Sequence, residues 1–198
     1  LLPNVGSWIT TRETTDSSAA DGVMIEGFAL EANESPYSLE DWQLQMNRAL
    51  RLITQGRAIL AQSYVTGNQE RMFTLGSYLL IKGNRTFINI DLDIEPEWWP
   101  EYDIPIGSYV GGIPANVDAL YNATWGVYTR TYSNGLVLVN VSDSTRVVNL
   151  GGTFYRADPS GGGLVPENGT APGYVTYTPV TSVTLAPYRA AVLLNSPP

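Results

Sequence analysis

The chain has 198 residues, 43% of them hydrophobic, with 19 acidic against 11 basic side chains and a net charge of −8. That is enough apolar material for one large or two small packed domains, and the charge repels nucleic acid and anionic membrane surfaces rather than recruiting them. There is no cysteine and no histidine, which excludes His-based triads, thiol nucleophiles and the usual zinc sites, and leaves the redox compartment unmarked by disulfides.

Leu1-Leu2-Pro3-Asn4-Val5 reads as a short strand, followed by a Ser/Thr-rich connection from Ser7 to Ala20. Asp21-Gly22-Val23-Met24-Ile25-Glu26-Gly27-Phe28 is an unalternating apolar run, as expected of a strand buried on both faces of a parallel sheet. It ends on a carboxylate. In α/β sheets and barrels, catalytic and binding groups collect at the carboxyl ends of strands, so Glu26 is a candidate site residue; the bland alternative is a Glu exposed at a strand end.

Ser38 with Asp41 three residues on forms a capping-box-like start, and Trp42, Met46, Ala49, Leu50 and Ile53 follow at helical spacing up to Gly56. This stripe reads as core. Ala58 to Tyr64 predicts the next buried strand. Asn68 is expected to cap a second helix carrying Met72, Leu75, Leu79 and Leu80 inward, with Gly76 at a close approach and Gly83 at its end. Thr86 to Asp91 predicts a third strand, so strand and helix alternate as in right-handed β-α-β units.

From Leu92 to about Asn122 Pro, Gly, Trp and Tyr appear without a period, which reads as a long ordered loop. Its Trp98, Trp99, Tyr102 and Tyr109 either pack or present faces on which a sugar stacks. Asp91, Asp93 and Glu95 share one side of an extended segment but lack the glycine-punctuated loop of a calcium site, so no metal and no cofactor are expected. Beyond Trp125 the pattern is all-β, with short strands at 127–132, 136–141, 146–150, 152–155, 174–177, 182–185 and 189–194. Ser133-Asn134-Gly135 marks a hairpin, and the whole region reads as a β-sandwich.

Asn-x-Ser/Thr sequons stand at Asn33, Asn84, Asn122, Asn140 and Asn168, against about two expected by chance for a motif with a high false-positive rate. They point to a secreted, extracellular glycoprotein. No apolar run is long enough to span a membrane, and the absence of an initial Met fits a processed or incomplete product.

Several segments together resemble hypothetical glycosyl hydrolase family 15: Leu2-Pro3-Asn4-Val5, Asp21 to Phe28, Arg71-Met72-Phe73 with Ser77-Tyr78-Leu79-Leu80, Trp99-Pro100-Glu101-Tyr102-Asp103, and Tyr132 to Asn140. The tail from Leu185 to Leu194 is similar to the last strands of such hydrolases. The resemblance implies a (β/α)8 barrel followed by a C-terminal β-sandwich. With only about four barrel strands present, it further implies the C-terminal half of a barrel over residues 1–115 and an antiparallel sandwich over 116–198. A half-barrel exposes strand edges, so a missing N-terminal half, a partner chain or self-association is expected to cover it, and the chain alone is expected to hydrolyse no glycoside.

On this resemblance the implied chemistry is carbohydrate hydrolysis by two carboxylates, Glu26 and Asp91, each at a strand end. Asn4, Gln62, Tyr64 and Arg71 would bind hydroxyls, and Trp99 and Tyr102 would stack on the sugar. The rival reading is a non-catalytic extracellular glycoprotein, a degenerate hydrolase scaffold that binds sugar or self-assembles.

Overall fold

The computed structural model describes residues 1–9, 19–90 and 95–198. A first group of elements comprises β1 (Gly22–Glu26), α1 (Leu39–Thr54), β2 (Ala58–Ser63), α2 (Asn68–Ile81) and β3 (Thr86–Ile90). The three strands pair in parallel in the order β1-β2-β3. Gly22 is dictated by that pairing, since a Cβ there would stand 2.2 Å from the Ala58 carbonyl oxygen. Residues 3–6 run beside β1, with Val5 N–H donating to the Met24 carbonyl and Met24 N–H to that of Pro3, both at 2.9 Å, yet only Asn4 and Met24 form a bridge there.

α1 forms as its sequence dictates. The Ser38 hydroxyl accepts from Asp41 N–H at 3.1 Å, Trp42, Met46, Ala49, Leu50 and Ile53 are buried, and Gly56 adopts a φ of +74° just past the end. α2 differs from expectation at both ends. Its N-cap is Gly67, because Asn68 is already helical and its side-chain oxygen accepts from the Arg71 guanidinium instead. Its last carbonyls are covered by Arg130, which donates to Leu79, Leu80 and Lys82 at 3.2, 2.9 and 2.8 Å, and Lys82 rather than Gly83 is the C-cap. Every residue from Arg71 to Ile81 is buried, as in a helix covered on all sides.

The remaining strands are β4 (Glu97–Trp98), β5 (Tyr121–Asn122), β6 (Val127–Tyr132), β7 (Gly135–Asn140), β8 (Arg146–Ser160), β9 (Gly163–Leu164), β10 (Tyr174–Leu185) and β11 (Arg189–Leu194). β4 pairs with β9, and the others form one antiparallel sheet ordered β10-β8-β11-β7-β6-β5. The expected hairpin joins β6 to β7, but Gly135 is needed for a close approach rather than for a left-handed turn, since a Cβ on it would meet the Leu193 carbonyl oxygen at 2.0 Å. Gly151 and Gly152 do not end a strand as expected. β8 and β10 stay paired across them through an irregularity between Val180 and Ser182. Beyond it, Val148, Val183 and Leu185 share a core with Val127, Leu138, Ala191 and Leu193.

The half-barrel is therefore not found. The described residues hold two α-helices and three short parallel strands in an open sheet with no barrel closure, and most of the strand residues are antiparallel. Strand-helix alternation at β-α-β spacing is satisfied equally by a small open sheet, which is where the sequence reading went too far. Apart from the β4–β9 pair, the antiparallel strands belong to one hydrogen-bonded sheet. With the barrel goes the ground for expecting a missing half, a partner chain or self-association to cover it, and for expecting inactivity on that account.

One hydrophobic core joins the parallel and antiparallel sheets, running from Ile25, Phe28, Trp42 and Phe73 to Tyr132, Val139 and Leu194. α2 lies between them: a Cβ at Gly76 would come within 2.6 Å of the Ala190 Cβ, the close approach its position suggested. Neither helix is long and apolar enough to cross a membrane.

Candidate functional site

Glu26, Gln62 and Asn89 stand in register at the carboxyl ends of β1, β2 and β3, one residue from each strand. Residues paired across a parallel sheet point to the same face at about 4.8 Å spacing, so the three form a polar row. Asn4 adds a fourth member, its amide donating to Glu26 Oε2 at 2.7 Å, and Asn89 donates to Gln62 Oε1 at 2.9 Å. The Asn4 amide is oriented by its own backbone, because its side-chain oxygen accepts from Gly6 N–H at 2.8 Å and turns the nitrogen toward Glu26. The Tyr64 hydroxyl, one residue past β2, donates to Glu26 Oε1. Sequence reasoning named Asn4, Glu26, Gln62 and Tyr64 separately, and the structure brings them together.

Two residues that the sequence reading passed over hold this arrangement. Gln45, fully buried on the inner face of α1, donates to Ser7 and Gly27 carbonyls at 2.6 and 3.1 Å and accepts from Ala29 N–H at 2.8 Å. It ties the loop that carries Asn4 to the loop that leaves Glu26. The Tyr37 hydroxyl donates to the Gly27 carbonyl at 2.8 Å, and burial lifts its pKa to about 12, so it stays a donor. The signal for Gln45 was present as a polar side chain inside the Trp42, Met46, Ala49 stripe. Gly27 turns the chain off the strand with φ +77°, and Trp8, Ala29 and Glu34 nearby in sequence also have positive φ without being glycine. Such strained backbone persists where surrounding contacts over-determine it.

The Glu26 carboxyl is held below its ordinary value of 4.5, first by the Tyr64 hydrogen bond and then by that of Asn4, against a small opposing effect of burial. Among the described residues no neighbouring charge contributes. A hydrogen-bonded, ionised carboxylate suits a base or a nucleophile rather than a proton donor. Because the folded value is lowered, the stability gained from ionised Glu26 is present above its unfolded pKa and is lost as pH falls through the folded one. Carbon-detected NMR titration of Glu26 is expected to give a midpoint below 4.5 in the wild type and a higher one in Tyr64→Phe; an unchanged midpoint would show that the hydroxyl does not tune the acid.

Arg71, Trp99 and Tyr102 are assembled elsewhere. Arg71 pairs with Glu101 at 2.6 Å, both essentially without exposure, donates to the Gly161 carbonyl at 3.0 Å and also to Thr66 and Asn68, and lies 4.1 Å over the Trp99 ring. Its donors are therefore committed to the protein rather than offered to a sugar. The Trp99 indole donates to the Ile90 carbonyl at 2.7 Å and Tyr102 accepts from Ile90 N–H at 2.8 Å, so these two rings cap the open edge of β3. Asp91 and Asp93 lie outside the described residues. Among the described residues no group of three or more carboxylates is placed to hold a metal ion.

Of the sequon residues, Asn33, Asn84 and Asn168 are exposed and Asn122 is half-buried. Asn140 is fully buried, its amide nitrogen donating to the Ser144, Leu185 and Ala186 carbonyls at 2.9, 3.1 and 2.9 Å. A glycan would have to occupy that same nitrogen.

No curated protein and no solved structure matches the chain. The model of hypothetical glycosyl hydrolase family 15 matches residues 1–136, which include the parallel sheet, both helices and the whole polar row. The chain thus belongs to hypothetical glycosyl hydrolase family 15.

Proposed function

We propose that the protein acts on carbohydrate, with Glu26 as the ionised carboxylate of a hydrolytic pair. The observation that carries this reading is the Asn4–Glu26–Tyr64 cluster at a strand end: two donors hold one carboxylate charged on an open polar row, in a chain of this family. Glycoside hydrolysis needs a charged carboxylate as base or nucleophile and a second, protonated one to assist the leaving group. The first role fits Glu26. The second is proposed for Asp91, on its sequence position directly after β3. The exposed Asn89 extends the row as a hydroxyl-binding group, held in place by the buried Gln62, whose amide is bonded to Asn89 and to the Ser63 carbonyl.

A second reading, a saccharide-binding scaffold without turnover, draws on the fact that no other carboxylate among the described residues contributes to the Glu26 environment. A panel of aryl glycosides and polysaccharides separates the two. Aglycone or reducing-end release by the wild-type chain supports hydrolysis, and the anomer first released reports whether the two carboxyl groups lie about 5 Å apart or roughly 6.5–9.5 Å apart. Saturable binding without release favours the scaffold.

A secreted, extracellular glycoprotein is part of the same proposal, supported by the exposure of Asn33, Asn84 and Asn168. Peptide mass mapping of protein made in a glycosylating host is expected to find glycan on one or more of these three and none on Asn140. Unmodified asparagine at all five sequons would remove the secretory argument.

A further inference from the structure

Beyond the polar row, the open edge of β3 borders a cavity of about 390 Å3, walled by α2 on one side and the 97–106 segment on the other. Its volume falls within the roughly 300–1,000 Å3 of small-molecule sites. Its lining combines apolar side chains such as Leu79 and Ile106 with Trp98, Tyr102, Asn89, Lys82 and Glu101. Asn89 belongs to both places, lining this cavity while donating to Gln62 in the row.

Glu101 is the exceptional member. It is 1% exposed, and Arg71 engages only its Oε1; Oε2 is buried with no hydrogen-bond partner. Leaving a buried charged acceptor unmatched is costly, so an oxygen of this kind marks a place where a donor is missing. Among the described residues that line the cavity, together with Arg71, positive and negative side chains are equal in number. Arg71 offsets Glu101, and Lys82 and Glu97 contribute one charge of each sign to the walls. A net anion or cation therefore gains little here, whereas a neutral ligand with a hydroxyl donor and an apolar face fits. Trp98 and Tyr102, edge to face at 5.3 Å, supply the aromatic surface that the C–H face of a pyranose covers.

We infer that this cavity is a saccharide subsite, separate from Glu26, in which one sugar hydroxyl donates to Glu101 Oε2 while the ring lies against Trp98 and Tyr102. Oε2 is shielded from bulk water, so contact requires a small local adjustment of the cavity wall. Lys82 and Asn89 serve the remaining hydroxyls. Only the ligand class rests on the carbohydrate reading above; the subsite requires no turnover at Glu26.

The test titrates the 198-residue chain with methyl α- and β-glycosides of glucose, galactose and mannose, by calorimetry and ligand-observed NMR. Saturable binding of at least one at about millimolar strength is expected, as for a single ring in a small site. Trp98→Ala and Glu101→Gln are each expected to weaken it about tenfold or more, the latter because the amide presents a donor where the hydroxyl needs an acceptor. Glu26→Gln is expected to leave the affinity within about twofold, since Glu26 does not line the cavity and reaches it only through Gln62 and Asn89. If Glu101→Gln does not fold, Trp98→Ala decides alone. Absence of saturable binding, unchanged affinity in the folded variants, or loss of binding only in Glu26→Gln overturns the subsite. Failure of the hydrolytic reading looks different: binding at this cavity persists while no glycoside is cleaved.

Discussion

Arg71→Met is expected to destabilise the fold by about 3–5 kcal/mol, the cost of removing one partner from a buried ion pair. Arg71 is 2% exposed and Glu101 1%, and the guanidinium also reaches Thr66, Asn68 and the Gly161 carbonyl while covering the Trp99 ring. The methionine fills much of the volume but leaves the Glu101 carboxylate enclosed without a counter-charge, and the Gly161 carbonyl without its donor. The double variant Arg71→Met/Glu101→Leu is expected to regain most of the loss, because a buried pair replaced whole by apolar side chains is often neutral in stability. Urea unfolding monitored by circular dichroism measures both. A single-variant loss below about 1 kcal/mol would mean that the pair is solvated and that the Glu101 environment has been misread.

The same pair shows where a sequence stops being legible. Arg71 is close in sequence to the strand end carrying Gln62 and Tyr64, and on the family resemblance it passes for a sugar-binding cation. Its partner comes thirty residues later from a segment without periodicity, so nothing local distinguishes a structural clamp from a ligand contact. α2 repeats the lesson at its C-terminus, where Arg130 from β6 supplies the cap that Gly83 was expected to provide. Helix α1 was readable because its cap, apolar stripe and terminal glycine all act within one element. So was the end of β1, where a carboxylate follows an apolar run and a glycine follows the carboxylate.

What the sequence could not supply was the global arrangement. The alternation of strands and helices suits both a barrel segment and a small open sheet, and choosing between them requires knowing what pairs with the outer strands. Here Ile90 at the outer edge of β3 is met by Trp99 and Tyr102 rather than by another strand. In the antiparallel region, the glycine pair Gly151-Gly152, taken as a break, is absorbed by an irregularity in the pairing of β8 with β10. Register, by contrast, carried real functional content. Once β1, β2 and β3 pair in parallel, Glu26, Gln62 and Asn89 necessarily line up, and the site follows from three residues that look unrelated along the chain.

If Glu26 performs chemistry rather than merely ending a strand, Glu26→Gln removes nearly all turnover without unfolding the protein. The amide keeps the size of the side chain but cannot carry negative charge, and of its two positions facing Asn4 and Tyr64 only one remains an acceptor. Glu26 is half-buried and the amide keeps its shape, so thermal melts of the two proteins serve as the control for folding. With the glycoside that the wild type cleaves best, kcat is expected to fall about 10³-fold or more while KM stays within a few fold, the pattern of an interaction made in the transition state. Tyr64→Phe is expected to fall between the two proteins and to shift the acidic limb of the kcat/KM profile upward, toward the ordinary carboxylate range. A folded Glu26→Gln protein that retains the wild-type kcat would contradict the account.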